Sequence, residues 1–442
     1  MKRTKVIIAG AGGRDFHNFL VYFKENPLYE VVCFTAEQIP GIEKRVFPKQ
    51  LAGKLYSADI PIYPEKDLER LIKKFKIDEV ILSYSDLSFD YVGNFFSRVL
   101  SAGANFKLLG PDATMLHSSK PVVAVCAVRT GSGKSQTSRK VLRLLSAKGL
   151  KVAVVRHPMP YGNLLKQEVQ KFCSYSDFIK HKATMEEQEE YTKYIEMGHC
   201  VYAGVDYKKI LRLAEKESDV ILWDGGNNDF PFYKPDLLIT VTDPHRPGHE
   251  VLYYPGEICF RMAGVIVINK VDSAKKENVS IIEENIRKHN PSAFVIKAAS
   301  AISVDKPNLI KGKTCIIIGD GPTLTHGNMP FSAGTLAVKK YGGKIADPRR
   351  SAVGSIKKVF EKYPHLKNEL PAMGYSKRQL LELQKTTENS DADIVVDATP
   401  ANLMKILKIR KPMVVVEYEL EEIGAKNLNR VLDNWLRKLK LG

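Results

Sequence analysis

The sequence lacks any apolar run long enough to cross a membrane. Its start, Met1 to Gly10, combines basic residues with a short apolar run that ends at glycine, which favours a first strand over a signal peptide. It also lacks a Cys-x-x-Cys pair, and its 6 cysteines are scattered. Cys33, Cys126 and Cys315 lie inside apolar strand patterns. These absences predict buried free thiols in a reducing cytoplasm and no cysteine-ligated metal.

A dense basic run interleaved with aromatic residues is also missing, although 67 Lys and Arg against 50 Asp and Glu give a net charge of +17. A basic surface attracts phosphorylated metabolites, whereas the missing basic run disfavours a nucleic-acid partner. Hydrophobic residues make up 44% of the chain and charged residues 26%, as in an ordinary globular protein. The length of 442 residues predicts two or three domains.

A phosphate-binding pattern lies between Val122 and Ser138. An apolar strand is followed by a Gly-x-Gly-Lys-Ser turn and then by an amphipathic helix, the layout of a P-loop. We expect Lys134 to reach the β- and γ-phosphates and Ser135 to hold Mg²⁺. The predicted nucleotide-binding residues of this loop are Gly131, Ser132, Gly133, Lys134, Ser135 and Gln136.

The loop departs from the consensus at its start. The first consensus glycine is replaced by Val128, and Arg129 occupies a position that holds a second lysine in partitioning-type ATPases. The alternative is a structural glycine turn between strand and helix that binds nothing.

The predicted fold class is α/β, with an N-terminal Rossmann-like unit followed by a P-loop NTPase domain whose sheet is largely parallel and doubly wound. We assign the first unit to 1–118, the P-loop domain to 119–345 with a lid at 161–207, and a C-terminal extension packed on that domain to 346–442. Strands of the P-loop domain are predicted at Val122–Val128, Val152–Arg156, Val220–Asp224, Leu237–Thr242, Val265–Asn269, Phe294–Ile296 and Cys315–Ile318.

The glycine turn after the first strand fits a dinucleotide fingerprint poorly. Gly10 and Gly12 match, but Asp15 stands at the third glycine position, and no acidic residue ends the second strand. NAD binding is therefore disfavoured. Two interpretations stay open: an anion held at the first helix with Arg14 and His17 nearby, or a purely structural turn.

Two later strands end in residues typical of nucleotide hydrolases. Asp224 ends an apolar strand and is a predicted Mg²⁺ ligand, although many strands end in such a turn. Asn-Lys-x-Asp, at 269–272, is the guanine-reading signature of GTPases, or else a polar loop start. The predicted base-binding residues are Asn269, Lys270, Asp272, Ser300 and Ala301, the last two in a small turn behind the base.

Polar side chains follow three further strands at the same predicted sheet edge. His245 and Arg246 follow the fourth strand and suit charge neutralisation or proton transfer. A metal site at His245 and His249 is disfavoured, because Pro-Gly between them breaks the helix that such spacing needs. The predicted substrate-binding residues are Arg156, His157, Asp320, Thr323, Thr325 and His326, the last four in a loop that an ordinary glycine-rich turn would also explain.

The motifs AVRTGSGKS, Asp224-Gly-Gly, Asn269-Lys-Val-Asp272 and GDGPTLTHGNMPFSAG together resemble the cyclic 2,3-diphosphoglycerate synthetase family, whose members are also described as predicted GTPases. The resemblance covers most of the chain. It implies closure of 2,3-diphosphoglycerate into a cyclic pyrophosphate, driven by ATP with Mg²⁺. The residues that would neutralise the phosphates are Lys134, Arg129, Arg156, His245, Arg246 and His326, of which Lys134, Arg129, His245 and Arg246 are the catalytic candidates.

The sequence therefore supports a phosphoryl-transferring ligase that uses ATP or GTP on a small phosphorylated acid. The alternative is a regulatory or metabolic GTPase whose N-terminal unit senses a ligand. A basic nucleic-acid-binding NTPase is a third hypothesis, whose binding would weaken steeply with salt. We expect no membrane partner, and a homodimer is the assembly considered.

Overall fold

The structure is a computed structural model that describes residues 2–37, 45–157, 162–226, 229–325, 327–372, 377–400, 403 and 407–440. It is a mixed α/β fold whose sheets are mostly parallel, as predicted. No helix within the described residues is long and apolar enough to span a membrane.

The first part of the chain forms a sheet of its own, with the order β3-β4-β2-β1-β5-β7. Every neighbouring pair is parallel except β3 with β4. Its elements are β1 (Thr4–Ala9), α1 (Arg14–Asn18), β2 (Tyr29–Ala36), β3 (Val46–Phe47), α2 (Lys49–Ala52), β4 (Ile60–Pro64), α3 (Leu68–Phe75), β5 (Glu79–Leu82), β6 (Leu87–Ser88), α4 (Phe89–Ser101), β7 (Asn105–Lys107) and α5 (Pro111–Thr114).

The turn between β1 and α1 holds a carboxylate of this chain. Asp15 accepts hydrogen bonds from the amides of Gly12 and Phe16 at 2.8 and 3.0 Å. Arg14 forms an ion pair with Asp229 at 2.8 Å, and His17 bonds to the carbonyl of Thr114. The turn is therefore occupied by Asp15, which supports the structural interpretation over an anion site.

The second part carries the P-loop strand at the centre of its sheet. Its elements are β8 (Val122–Ala127), α6 (Lys134–Ala147), β9 (Val152–Arg156), β10 (Gln170–Phe172), α7 (Tyr175–His181), α8 (Met185–Glu196), β11 (Val201–Ala203), α9 (Tyr207–Glu217), β12 (Val220–Gly225), β13 (Leu237–Thr242), β14 (Tyr253–Tyr254), α10 (Gly256–Met262), β15 (Val265–Ile268), α11 (Lys276–His289) and β16 (Phe294–Val304). The strand order is β10-β11-β9-β12-β8-β13-β15-β16.

Both faces of β8 are covered, which explains its unbroken apolar run. Val123 and Val125 pack with Leu142 of α6 on one face. Ala124 packs with Ile210 of α9 on the other face. Because β8 pairs in parallel with both β12 and β13, the carboxyl ends of these three strands lie together at one edge of the sheet.

The last part of the chain extends this sheet. Its elements are β17 (Thr314–Gly319), α12 (Gly321–Leu324), α13 (Ala333–Lys340), β18 (Lys344–Ile345), α14 (Ser355–Lys362), β19 (Glu369–Pro371), α15 (Lys377–Glu388), β20 (Ile394–Ala398), β21 (Met413–Ile423) and α16 (Leu428–Lys438). β17 pairs in parallel with β18, β19 and β20.

Strand β21 joins the two groups of strands into one sheet. Its first residues, from Met413 to Val415, pair in parallel with β20. Its remainder pairs antiparallel with β16, with Val304 opposite Val416 and Lys297 opposite Ile423. The predicted seventh strand of the P-loop domain, β17, thus pairs with strands beyond 345, and the domain limits stay predictions.

Two cysteines depart from the predicted pattern. Cys33, Cys126, Cys259 and Cys315 are free and buried, as expected. Cys173 and Cys200 form a disulfide across a separation of 27 residues, so the prediction of free thiols is wrong for this pair. They meet because Phe172 of β10 lies opposite Val201 of β11 in an antiparallel pair, which the sequence separation conceals.

Candidate active site

The P-loop is shaped by two glycines that no other residue could replace. Gly131 has φ +79° and Gly133 has φ +114°, a region that favours glycine. A β-carbon at Gly133 would overlap the side chain of Asn269, and one at Gly131 would overlap Thr323. Lys134 and Ser135 then open α6, with Ser135 exposed.

Lys134 is anchored on the carboxylate that ends β12. Its Nζ donates to Asp224 Oδ1 at 2.9 Å and also to the Asp224 carbonyl. Burial lowers the pKa of Lys134, while the charge of Asp224 acts against that shift. The predicted phosphate lysine therefore lies in the loop and is held by an anion of the protein itself.

Asp224 is fully buried and uses both of its oxygens. Lys134 and Ser138 donate to Oδ1, and Arg156 and Tyr194 donate to Oδ2. Burial alone would raise the pKa of Asp224, but the charges of Arg156 and Lys134 hold it well below its usual range. The carboxylate is ionised and saturated, which leaves no oxygen for a direct metal bond.

A second buried carboxylate, Asp243, ends the neighbouring strand β13. Lys270 and Arg246 donate to its Oδ2 at 2.9 and 2.8 Å. Burial would raise the pKa of Asp243, and the charges of Lys270 and Arg246 instead hold it below its usual range. Lys270 Nζ also donates to the Gly131 carbonyl at 2.6 Å, so this ion cluster braces the P-loop.

Within the Asn-Lys-x-Asp motif, Asn269 contacts the P-loop directly, whereas Asp272 lies beside it. Asn269 Nδ2 donates to the Ser132 carbonyl at 2.9 Å. Asp272 is exposed, and its Oδ1 accepts from the Ser300 amide at 3.2 Å. Ser300 Oγ in turn donates to Gln136 at 3.3 Å. The predicted base-binding residues are brought together beside the P-loop.

The predicted turn at Ser300 and Ala301 is wrong. Strand β16 continues to Val304, and Ala301 lies opposite Glu419 of β21. The partner strand lies more than one hundred residues further along the chain, so the local sequence could not predict the pairing.

A cleft separates the P-loop from the C-terminal strands. Its walls come from the P-loop and β16, from α8, and from the carboxyl ends of β17 and β20. The residues that line it include Lys134, Ser135, Gln136, Arg139, Glu189, Glu190, Lys193, Tyr194, His245, Lys270, Ser300, Asp320, Thr323, Phe331, Ser332, Pro400 and Tyr418.

Asp320 places a carboxylate in the cleft, directly after the end of β17. It caps α12 by accepting from the amide and the hydroxyl of Thr323. Burial raises the pKa of Asp320, and the charge of Glu190 adds to that shift. Glu190 lies on α8, which begins at a capping box formed by Thr184 and Glu187.

His245 also lies in the cleft. One ring nitrogen, Nε2, is 2.9 Å from Ser273 Oγ, and the ring packs edge-on against Phe331. Burial lowers the pKa of His245, while the charge of Asp243 acts against that shift.

Several other predicted site residues are engaged elsewhere. Arg156 lies between Asp224 and Glu190, and His157 lies 3.7 Å from Asp229 beside the N-terminal sheet. Arg246 donates to carbonyls of Thr130 and Gly327 behind the P-loop. Thr325 donates to the Gly321 carbonyl, and His326 lies outside the described residues.

Arg129 lines the cleft, but its guanidinium contacts other side chains, including those of Asp86 and His249. Its Nε donates to Asp86 at 2.5 Å, and its Nη1 is 2.7 Å from His249 Nδ1. The catalytic roles predicted for Arg129, His245 and Arg246 stay predictions.

Sequence analysis missed the acidic and basic side chains of α8 and the carboxylates Asp86 and Asp243. Glu190 lies in a polar helical stretch that was assigned to a lid, and nothing in its spacing indicates that it faces the cleft. Asp243 did offer a signal, since it ends an apolar strand just as Asp224 does.

A buried parallel strand, a glycine turn and a lysine at the start of a helix, all opening on a deep cleft, define a P-loop protein of the α/β class. The chain is 59% identical over 437 residues to arginine synthetase ArcE of Thermococcus kodakarensis, covering 99% of this chain and 98% of that protein. It belongs to the family of that synthetase.

A more distant similarity links the chain to cyclic 2,3-diphosphoglycerate synthetase of Pyrococcus furiosus. The two are 22% identical over 224 residues, which is 50% of this chain and 45% of that protein. The resemblance inferred from the motifs is thus supported only as a related family. Together the two relatives support a nucleotide-dependent ligase. No family model matches the chain.

Among solved structures, LpxK from Aquifex aeolicus in complex with ATP aligns with a TM-score of 0.43 and 14% identity, over 84% of this chain and 99% of that chain. Hydrogenase maturation factor HypB from Archaeoglobus fulgidus aligns with a TM-score of 0.26 and 16% identity, over 41% of this chain and 81% of that chain.

Proposed function

We propose that this protein is a nucleotide-dependent ligase that forms arginine, or cleaves it in the reverse direction. The observation that carries the proposal is the cleft that is lined by both the P-loop and Asp320, in a chain closely similar to an arginine synthetase. The nucleotide would bind at the P-loop and the amino acid beside Asp320.

On the nucleotide side, Lys134 would leave Asp224 for the β- and γ-phosphates, and the amides of residues 131–136 would bind phosphate oxygens. Ser135 fits a ligand of Mg²⁺, because its side chain is exposed at the start of α6. When bound, Mg²⁺ would neutralise phosphate charge. Asp224 does not fit direct ligation, since Ser138, Arg156 and Tyr194 would still donate to its two oxygens after Lys134 has left. Its role would be to hold Lys134 in place until the nucleotide binds.

The choice between ATP and GTP depends on the region beside Gln136. Asp272 is exposed there and would accept from a guanine ring, which adenine does not match. Asn269 and Lys270 brace the loop whichever base is bound. GTP use and ATP use are therefore both retained, and each is an arm of the test below.

On the substrate side, carboxylates lie among cations. Asp320, Glu189 and Glu190 line the cleft together with Lys193 of α8, and Glu190 is paired with Arg156. Asp320, which accepts from the Thr323 amide and hydroxyl, would also accept from the guanidinium or ammonium of arginine. Arg156 and Arg246, which were expected to neutralise a multiply phosphorylated acid, are occupied by Asp224 and by backbone carbonyls. The engagement of these two arginines favours arginine over 2,3-diphosphoglycerate as the substrate.

In the forward direction, the terminal phosphoryl group would pass from the nucleotide to a carbonyl oxygen of the precursor. An amine would then attack that carbon and release phosphate, leaving the guanidinium of arginine and a nucleoside diphosphate. The protein would contribute positioning and charge neutralisation, which dominate phosphoryl-transfer catalysis.

The test starts from arginine, because a ligase is reversible and the precursor need not be known. The purified protein is incubated with arginine, phosphate, Mg²⁺ and either ADP or GDP, and triphosphate formation is measured. We expect formation that requires all components with one of the two nucleotides. Mass spectrometry of the carbonyl product identifies which carbon–nitrogen bond is broken.

The control variants are Lys134→Ala, expected to lose turnover by about 100-fold or more, and Lys140→Ala in the same helix, expected to keep it. Cyclic product from 2,3-diphosphoglycerate, detected by phosphorus NMR, would contradict the proposal in favour of the related family. Hydrolysis of GTP alone, unaffected by arginine, would instead support the regulatory GTPase.

A further inference from the structure

The loop that follows β5 of the N-terminal sheet reaches the P-loop through the carboxylate of Asp86. Asp86, between β5 and β6, has φ +61°, a conformation uncommon for a residue other than glycine. Its Oδ1 accepts from Arg129 Nε at 2.5 Å, and its Oδ2 accepts from Thr130 Oγ1 at 2.9 Å. The two oxygens of Asp86 thus hold the two consecutive residues that open the loop.

The surroundings fix both members of this ion pair. The Arg129 side chain is 2% exposed, and its guanidinium lies 3.6 Å from the ring centroid of Tyr253. Directly after Asp86, β6 pairs with β14, which contains Tyr253. The carboxylate and the ring that covers its partner are therefore carried by two paired strands from different parts of the chain.

The backbone carbonyls of the same stretch accept hydrogen bonds from residues of the P-loop sheet. The carbonyl of Thr130 accepts from Arg246 at 2.8 Å, and that of Gly131 accepts from Lys270. Thr130 is thereby fixed at its side chain by the N-terminal sheet and at its carbonyl by the P-loop sheet. A carboxylate so close to a phosphate site would repel the ligand, but the charge of Arg129 offsets it.

We propose that Asp86 is a positioning residue for the P-loop, through which the N-terminal sheet sets the geometry of the bound nucleotide. The inference rests on the proposed function, in which the P-loop holds that nucleotide. It assigns Arg129 a structural role in positioning the P-loop, at the place where partitioning-type ATPases have a lysine.

The test compares Asp86→Asn with Asp90→Asn in the full chain. Asp90 is exposed in the first turn of α4, four residues further along the chain, and serves as the matched control. Isothermal titration with ATP and with GTP, each with Mg²⁺, gives the nucleotide affinity well below the unfolding temperature. We expect Asp86→Asn to weaken binding by about 10-fold or more and Asp90→Asn to leave it unchanged. KM for the nucleotide should rise with the same variant, while KM for arginine stays within about twofold.

A double-mutant cycle with Arg129→Gln keeps the test decisive if a single variant is also less stable. The double variant should lose clearly less affinity than the sum of the two single variants, because both of them remove the Asp86–Arg129 ion pair. Additive losses, or unaltered nucleotide affinity in Asp86→Asn, would overturn the inference. Absence of nucleotide binding in the wild-type protein would instead overturn the proposed function, and the inference with it.

Discussion

At the residue scale, the candidate site depends on carboxylates whose surroundings differ. Asp224 and Asp243 are buried, and each is neutralised by two cations, which keeps both ionised. Asp320 and Glu369 are partly or fully buried with hydroxyl and amide donors in place of cations, so burial raises their pKa. The first pair braces the P-loop, and the second pair lies among the C-terminal strands.

Replacing Asp320 by Asn should weaken recognition of arginine without affecting the nucleotide. A lost hydrogen bond to a charged group changes affinity by about 10-fold or more, so we expect KM for arginine to rise by that factor. Steady-state kinetics in the arginine-cleaving direction check this. Asp391→Asn, an exposed residue before β20, is the matched control. An unchanged KM for arginine would contradict the substrate side of the cleft.

Glu369 should make stability fall as the pH rises toward neutrality. It accepts from the Ser332 amide and from the hydroxyls of Ser332 and Thr335, and burial raises its pKa from 4.5 to about 7. The folded chain therefore keeps a proton that the unfolded chain releases. The contribution is full below about pH 4.5 and is lost as the pH rises through about 7.

Glu369→Gln should remove this dependence, because glutamine resembles the protonated acid. Urea unfolding between pH 4.5 and 8 should show that the wild type loses roughly 3 kcal/mol relative to the variant. Parallel stability curves for the two proteins would show that Glu369 is ionised throughout.

At the element scale, α8 brings Glu190, Lys193 and Tyr194 to the cleft, and the Cys173–Cys200 disulfide closes the segment that carries it. A loop of this length implies about 3 to 4 kcal/mol of stabilisation in the chain-entropy treatment. We expect Cys173→Ser with Cys200→Ser to lower the thermal midpoint. Reduced wild-type protein should match the double variant, and a variant as stable as the oxidised wild type would contradict the disulfide.

Elements that a local sequence pattern marks could be predicted from the sequence, whereas elements that depend on a distant partner strand could not. The strands predicted at Val220–Asp224 and Leu237–Thr242 are correct within one residue, and a helix follows Gly133 as predicted, because apolar runs and glycine turns mark these elements. The extension of β16 was not, since its partner β21 is distant in the chain. The orientation of the arginine side chains could not be predicted either. The sequence places Arg129, Arg156 and Arg246 beside the predicted motifs, but the fold determines which carboxylates and carbonyls they contact.

At the scale of the whole molecule, two groups of strands form the cleft and a third group supports the P-loop. The N-terminal sheet holds the start of the P-loop through Asp86, the central sheet carries the loop, and the C-terminal strands supply Asp320. The N-terminal order β4-β2-β1-β5-β7 corresponds to the first five strands of the Rossmann order 3-2-1-4-5-6, and we propose that relationship for the unit. This arrangement explains why the P-loop alone did not indicate the substrate.

The most direct test of the ligase follows oxygen through the reverse reaction. Arginine, Mg²⁺ and the productive nucleoside diphosphate are incubated with phosphate whose oxygens are all ¹⁸O. If phosphate attacks the guanidinium carbon, an amine leaves, and the phosphoryl group then passes to the diphosphate. One ¹⁸O should remain in the carbonyl product and three should appear in the terminal phosphate of the triphosphate. A carbonyl product without ¹⁸O, or no triphosphate, would contradict the account.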